Sequence, residues 1–181
     1  MSGDFKRSTD QLTSMPGGEN AGKGKENIAQ LTEMLEQKSP NVEFANLGFS
    51  TDAQYDQATD TIMLAEDYRA TMEQEPELLE PLVAHERVHA AYQSDAPTDE
   101  ASLQAYVNEE MAAYQAEYNA WQQVKAQYTS PEGRAALDPA GKELVGRYEF
   151  KMNQIEQAGW DGYRAQLEKQ YRERMLQRKG E

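Results

Sequence analysis

At 181 residues the chain has the length of one domain with tails, enough to bury a real core. Its formal net charge of −14 excludes nucleic acid as a partner, because phosphate binding needs a basic surface; it leaves room for cationic ligands. The absence of cysteine excludes disulfides and thiolate metal sites, so any metal must be held by His, Asp or Glu.

Residues 1–24 are rich in Gly, Ser, Lys and Asn around Pro16-Gly17-Gly18 and read as a flexible arm preceding a single domain at 25–181. Met1–Asn20 contains no apolar signal-peptide segment, and no run in the chain approaches transmembrane length. The expectation is a cytoplasmic protein, or one exported without a cleaved leader, with no membrane partner. Ile28, Leu31 and Leu35, with Met34 beside them, predict a helix from Glu26 that Pro40 ends. Val42–Ala45 suits a short strand. Residues 55–64 place two β-prone stretches around a polar turn, which predicts a hairpin.

A helix follows, with Pro76 near its start and Pro81 in its first turns, where proline is tolerated. Leu78, Leu82, His85, His89 and Tyr92 form a stripe at helical spacing, so both histidines are expected to face inward. Ser94-Asp95-Ala96-Pro97 breaks this helix. Thr98 reads as the N-cap of the next, which runs to about Tyr128. Ser130-Pro131 and Asp138-Pro139 each read as a cap plus first-turn proline, opening helices at 131–137 and 139–158. Gly159 stops the second of these, and a last helix covers Asp161 to about Gln177. The basic residues Arg172, Arg174, Arg178 and Lys179 suit its C-terminal end. The fold class expected is α+β and mostly α, with one small sheet.

The two histidines of the chain both fall in His85-Glu86-Arg87-Val88-His89, an HExxH pattern. Four residues apart on a helix, the two imidazoles stand one turn apart on one face and can grip one ion; Glu86 stands between them. A catalytic zinc site takes three protein ligands and keeps one position open. With no third histidine, the third ligand must be a carboxylate. Asp95 lies six residues past His89, but the sharp turn that spacing needs has Tyr92 where a glycine belongs. Glu110 interrupts the stripe Leu103, Val107, Tyr114, Tyr118, Trp121, and a buried carboxylate there needs a cation. Glu109 stands about 100° round the helix and is the alternative, ahead of Asp95.

These residues carry a resemblance. HExxH on one helix, completed by Glu110 in an ExxA-like segment Glu110-Met111-Ala112-Ala113, resembles the gluzincin branch of the zincin metallopeptidases. It covers roughly residues 42–120. The resemblance implies a zincin-like minimal core at about 42–128 with a C-terminal helical extension at 129–181, and a peptide or protein substrate held against the hairpin. It also implies Zn2+ held by His85, His89 and Glu110, with Glu86 as general base on the attacking water. Tyr114, one turn beyond Glu110, or Tyr92 would steady the oxyanion. Two other readings stand beside it: a zincin-like non-catalytic binding or structural module, and a metal-free helical interaction protein.

Overall fold

The computed structural model describes residues 40–48 and 51–179. The expected arm at 1–24 and the helix from Glu26 lie outside the described residues. What is described is a mostly helical domain carrying one small sheet, as the periodicity predicts.

The sheet has three strands, β1 (Asn41–Ala45), β2 (Ala53–Asp56) and β3 (Thr61–Ala65), in the order β1-β3-β2. β3 is central and supplies fully buried Ile62 and Leu64. It pairs parallel with β1 (Asn41 opposite Thr61) and antiparallel with β2 (Ala53 opposite Leu64). The hairpin turn is built by its aspartates. Asp56 accepts from the Ala58 amide at 2.9 Å and the Thr59 hydroxyl at 2.8 Å, and Asp60 takes a left-handed conformation (φ 53°) that Asp tolerates. The β2–β3 order leaves the outer edge of β2 without a strand partner among the described residues.

After β3 the chain turns helical: a 3-10 turn at Glu66–Tyr68, α1 (Arg69–Gln74), and a second 3-10 turn at Pro76–Leu79. α2 (Glu80–Tyr92) then carries the histidines. Proline has no amide to lose in a first turn, so Pro76 and Pro81 sit where the sequence puts them. Gln93 ends α2 in a left-handed conformation (φ 52°), its amide returning to the His89 carbonyl at 2.8 Å.

α3 (Glu100–Thr129) begins one residue later than expected, because Asp99 and not Thr98 is the N-cap. The Asp99 carboxylate accepts from the Ser102 amide at 2.8 Å while Ser102 Oγ accepts from the Asp99 amide at 3.0 Å, a reciprocal cap. A charged cap with a serine three residues on satisfies more backbone amides than threonine would alone. α4 (Pro131–Ala136) and α5 (Pro139–Lys179) start at the two predicted caps: Gly133 N donates to Ser130 Oγ at 3.0 Å, and Gly141 N to Asp138 Oδ1 at 2.7 Å. Gly159 kinks α5 with φ 66° and ψ 162°, a conformation that costs glycine little. Arg172, near the end of α5, pairs with Glu168 at 2.8 Å and with Glu100 in the first turn of α3 at 2.5 Å, and so joins the two helices.

One core joins the sheet, α2, α3 and α5 through Ile62, Leu82, Trp121, Leu144, Tyr148 and Met152. Trp121 is fully buried, its ring 4.9 Å from that of Tyr148. Trp121→Ala is expected to cost about 3–5 kcal/mol, the usual toll of an aromatic cavity, seen as a lower midpoint in urea unfolding.

Candidate metal centre

α2 and α3 pack side by side, with Ala113 of α3 completely buried. A small residue there allows the close approach that brings carboxylates of α3 against histidines of α2. His85, His89 and Glu110 each present one ligand atom, all within 4.8 Å of one another. Of the sequence-predicted third ligands, only Glu110 joins this group. Asp95 lies in the exposed segment after α2, outside it.

Glu109 has a different place. Its Oε1 lies 2.7 Å from His89 Nδ1, and Glu117 Oε2 lies 3.0 Å from His85 Nδ1. A carboxylate only accepts, so each Nδ1 carries the proton and donates it. Both rings are thereby fixed with Nε2 as the free nitrogen for an ion. This carboxylate–imidazole arrangement orients ligands in metal sites and raises their basicity. Glu117 is itself anchored, its Oε1 accepting from Lys151 Nζ of α5 at 2.8 Å.

Glu117 and Lys151 were absent from the sequence reading. Glu117 had a signal: it lies seven residues after Glu110 and four before Trp121, on the same face of α3, and is fully buried. A second carboxylate on a buried face is costly unless paired. Lys151 had none, because its pairing depends on how α5 folds back.

The electrostatics follow from burial and these partners. Burial pushes the Glu86 carboxyl above the usual carboxylate range; the two imidazoles and the Tyr55 amide pull against it, and Glu110 adds to it. His89 is raised: burial opposes its charge, but the Glu109 hydrogen bond and the Glu86, Glu110 and Glu109 carboxylates outweigh it. Glu117 is lowered: burial acts against its charge, yet Lys151 and His85 prevail.

The tyrosines divide. Tyr114 lies behind His85, its ring 4.8 Å from the imidazole and 5.3 Å from that of Tyr163, and burial drives its hydroxyl far up. Tyr92 is 42 % exposed at the end of α2. Neither lines the open cleft of about 320 Å³ beside His89. Tyr106 does, with burial and Glu110 pushing its hydroxyl up to about 12. The cleft wall otherwise comes from Ala53, Gln54 and Tyr55 of β2, from Gln93 and Ser94, and from Glu86, His89 and Glu109.

The donor set fits a divalent metal of the zinc kind: two imidazoles and one carboxylate, no thiolate, each imidazole backed by a buried carboxylate, and a cleft that reaches one of the three, His89, together with Glu86. Among the described residues no helix is long and apolar enough to cross a membrane. Comparison with protein-family models, with curated proteins and with solved structures gives no match, so the site is read from its own geometry.

Proposed function

We propose that the protein is a zinc-dependent metallopeptidase of gluzincin type. The observation that carries this is the convergence of His85, His89 and Glu110 from two helices, with a buried glutamate, Glu86, between the histidines at the wall of an open cleft. His85 and His89 would hold the ion through Nε2, and Glu110 through its carboxylate. Zinc held there would supply Lewis acidity for a water nucleophile and for the scissile carbonyl.

The chain's own residues do the rest. Glu86 takes a proton from the attacking water and returns it to the leaving nitrogen; its raised affinity for a proton suits a base that must also act as an acid. The edge of β2 that has no strand partner among the described residues runs along the cleft with Gln54 and Tyr55, and it would offer an extended peptide the backbone groups that the Tyr55 amide's bond to Glu86 leaves available. Glu117 and Glu109 hold the imidazoles in register. A purely structural metal site has no use for a buried carboxylate between its ligands, which favours catalysis over a non-catalytic zincin-like module.

Metal content by mass spectrometry tests the foundation. The expected result is about one zinc per chain, in line with the one three-ligand group among the described residues, lost in His85→Ala and Glu110→Ala. Glu109→Ala leaves the three ligands in place and is expected to weaken zinc affinity roughly 10–100-fold, since towards the ion Glu109 acts through His89. A wild-type chain that stays metal-free in excess zinc would overturn the proposal and favour a helical interaction protein.

A further inference from the structure

The two histidine-backing carboxylates are not equivalent. Glu117 spends both oxygens, one on His85 and one on Lys151. Glu109 spends Oε1 on His89, and its Oε2 is buried with no hydrogen-bond partner. The residue is only 2 % exposed, yet it belongs to the cleft wall. An unpaired buried carboxylate oxygen is costly, and natural structures seldom keep one without a use. Where Glu117 Oε1 has a lysine, Glu109 Oε2 has no partner, in a residue that lines the cleft.

The rest of the wall points the same way. Among the described residues Ala53 is its only aliphatic member; beside the rings of Tyr55 and Tyr106 the wall carries amides, hydroxyls and carboxylates, and its only basic side chain among these residues is the metal-ligand candidate His89.

We infer that the cleft takes a substrate cation, an ammonium or guanidinium group next to the scissile bond, with Glu109 Oε2 as its acceptor. The cation comes either from a Lys or Arg side chain or from the free N-terminus of the peptide. This rests on the metallopeptidase reading for its kinetics but not for its binding. Because Oε2 is sealed in the ligand-free cleft, seating the cation requires the side chains over it to give way.

The test uses the full chain, zinc-loaded, and matched alanine-rich peptides carrying one Lys or one norleucine on either side of the central bond, each with a free or an acetylated N-terminus. The expected result is that a cationic peptide is cleaved about 10–100-fold better in kcat/KM than its neutral partner, the worth of one charge-assisted hydrogen bond in a dry site. Preference for Lys over norleucine identifies a side-chain site; preference for the free over the acetylated terminus identifies an amine site. In Glu109→Gln, which keeps an acceptor for His89, the ratio should fall towards one. Equal cleavage, or preference for the neutral peptides, overturns the inference and leaves the peptidase standing. If no peptide is cleaved, the peptidase reading fails. Titration calorimetry on zinc-free wild type then decides the cation site alone: tighter binding of a cationic peptide than of its neutral match supports it, and equal binding overturns it.

Discussion

Glu86→Gln is expected to lower the rate of peptide hydrolysis by about 10²–10⁴-fold while zinc content stays at the wild-type level. The loss is that of a positioned proton acceptor, since glutamine keeps the shape and polarity but cannot take the proton. Zinc stays because Glu86 is not among the three residues whose ligand atoms converge. Stability sharpens the result. The folded-state proton affinity of Glu86 is raised by burial, so the ionised group works against the metal-free fold. The sign follows: Glu86 favours the fold while protonated, below its unfolded value, and that benefit is lost as pH rises through its folded value. A glutamine has no such loss. The variant without metal should therefore melt at or above the wild-type temperature at neutral pH. Activity lost with zinc and stability retained is the signature of a catalytic base. If hydrolysis persists in this variant, Glu86 is not the base and the mechanism must be abandoned.

Much of this architecture was legible in the residues, because most of it is local. The hairpin, the break after Tyr92, the caps at Ser130 and Asp138 and the kink at Gly159 depend on residues within a few positions of each other. The third-ligand candidate was legible for a related reason. Glu110 stands out against an apolar stripe, and burial makes such an interruption expensive. What the stripe could not separate is ligand from backing group. Glu109 and Glu110 are both buried, and which one meets the ion and which one backs His89 depends on the roll of α3 against α2. The position of the tyrosines is non-local in the same way: helical spacing puts Tyr114 in line with Glu110, but only the packing shows that it lies behind His85 while Tyr106 reaches the cleft. Thr98 failed as a cap for a local reason, the Asp99–Ser102 pair one residue further on.

The second large effect falls on Lys151, which lies on α5 and outside the ligand group. Removing it as Lys151→Met keeps the length of the stem and deletes the charge, leaving Glu117 completely buried with only His85 as a partner. Stranding one member of a buried ion pair costs about 3–5 kcal/mol; since the Lys151 side chain keeps 31 % of its exposure, the low end, about 3 kcal/mol, is expected. Urea unfolding of the metal-free proteins measures it. The pH dependence fixes the cause. Glu117 has a folded-state value below its ordinary one, so its contribution is present above the unfolded value near 4.5 and is lost as pH falls through the lowered folded value. The gap between wild type and variant should thus close on acidification. Lys151→Met combined with Glu117→Gln removes both charges and leaves an amide oxygen for His85 Nδ1, so most of the stability should return. A double variant as unstable as the single one would mean that Lys151 acts through packing against Tyr114, whose ring lies 5.3 Å from its Nζ, and not through Glu117. Recovery in the double variant instead makes α5 part of the candidate metal centre, because the lysine that balances the His85 partner comes from that helix.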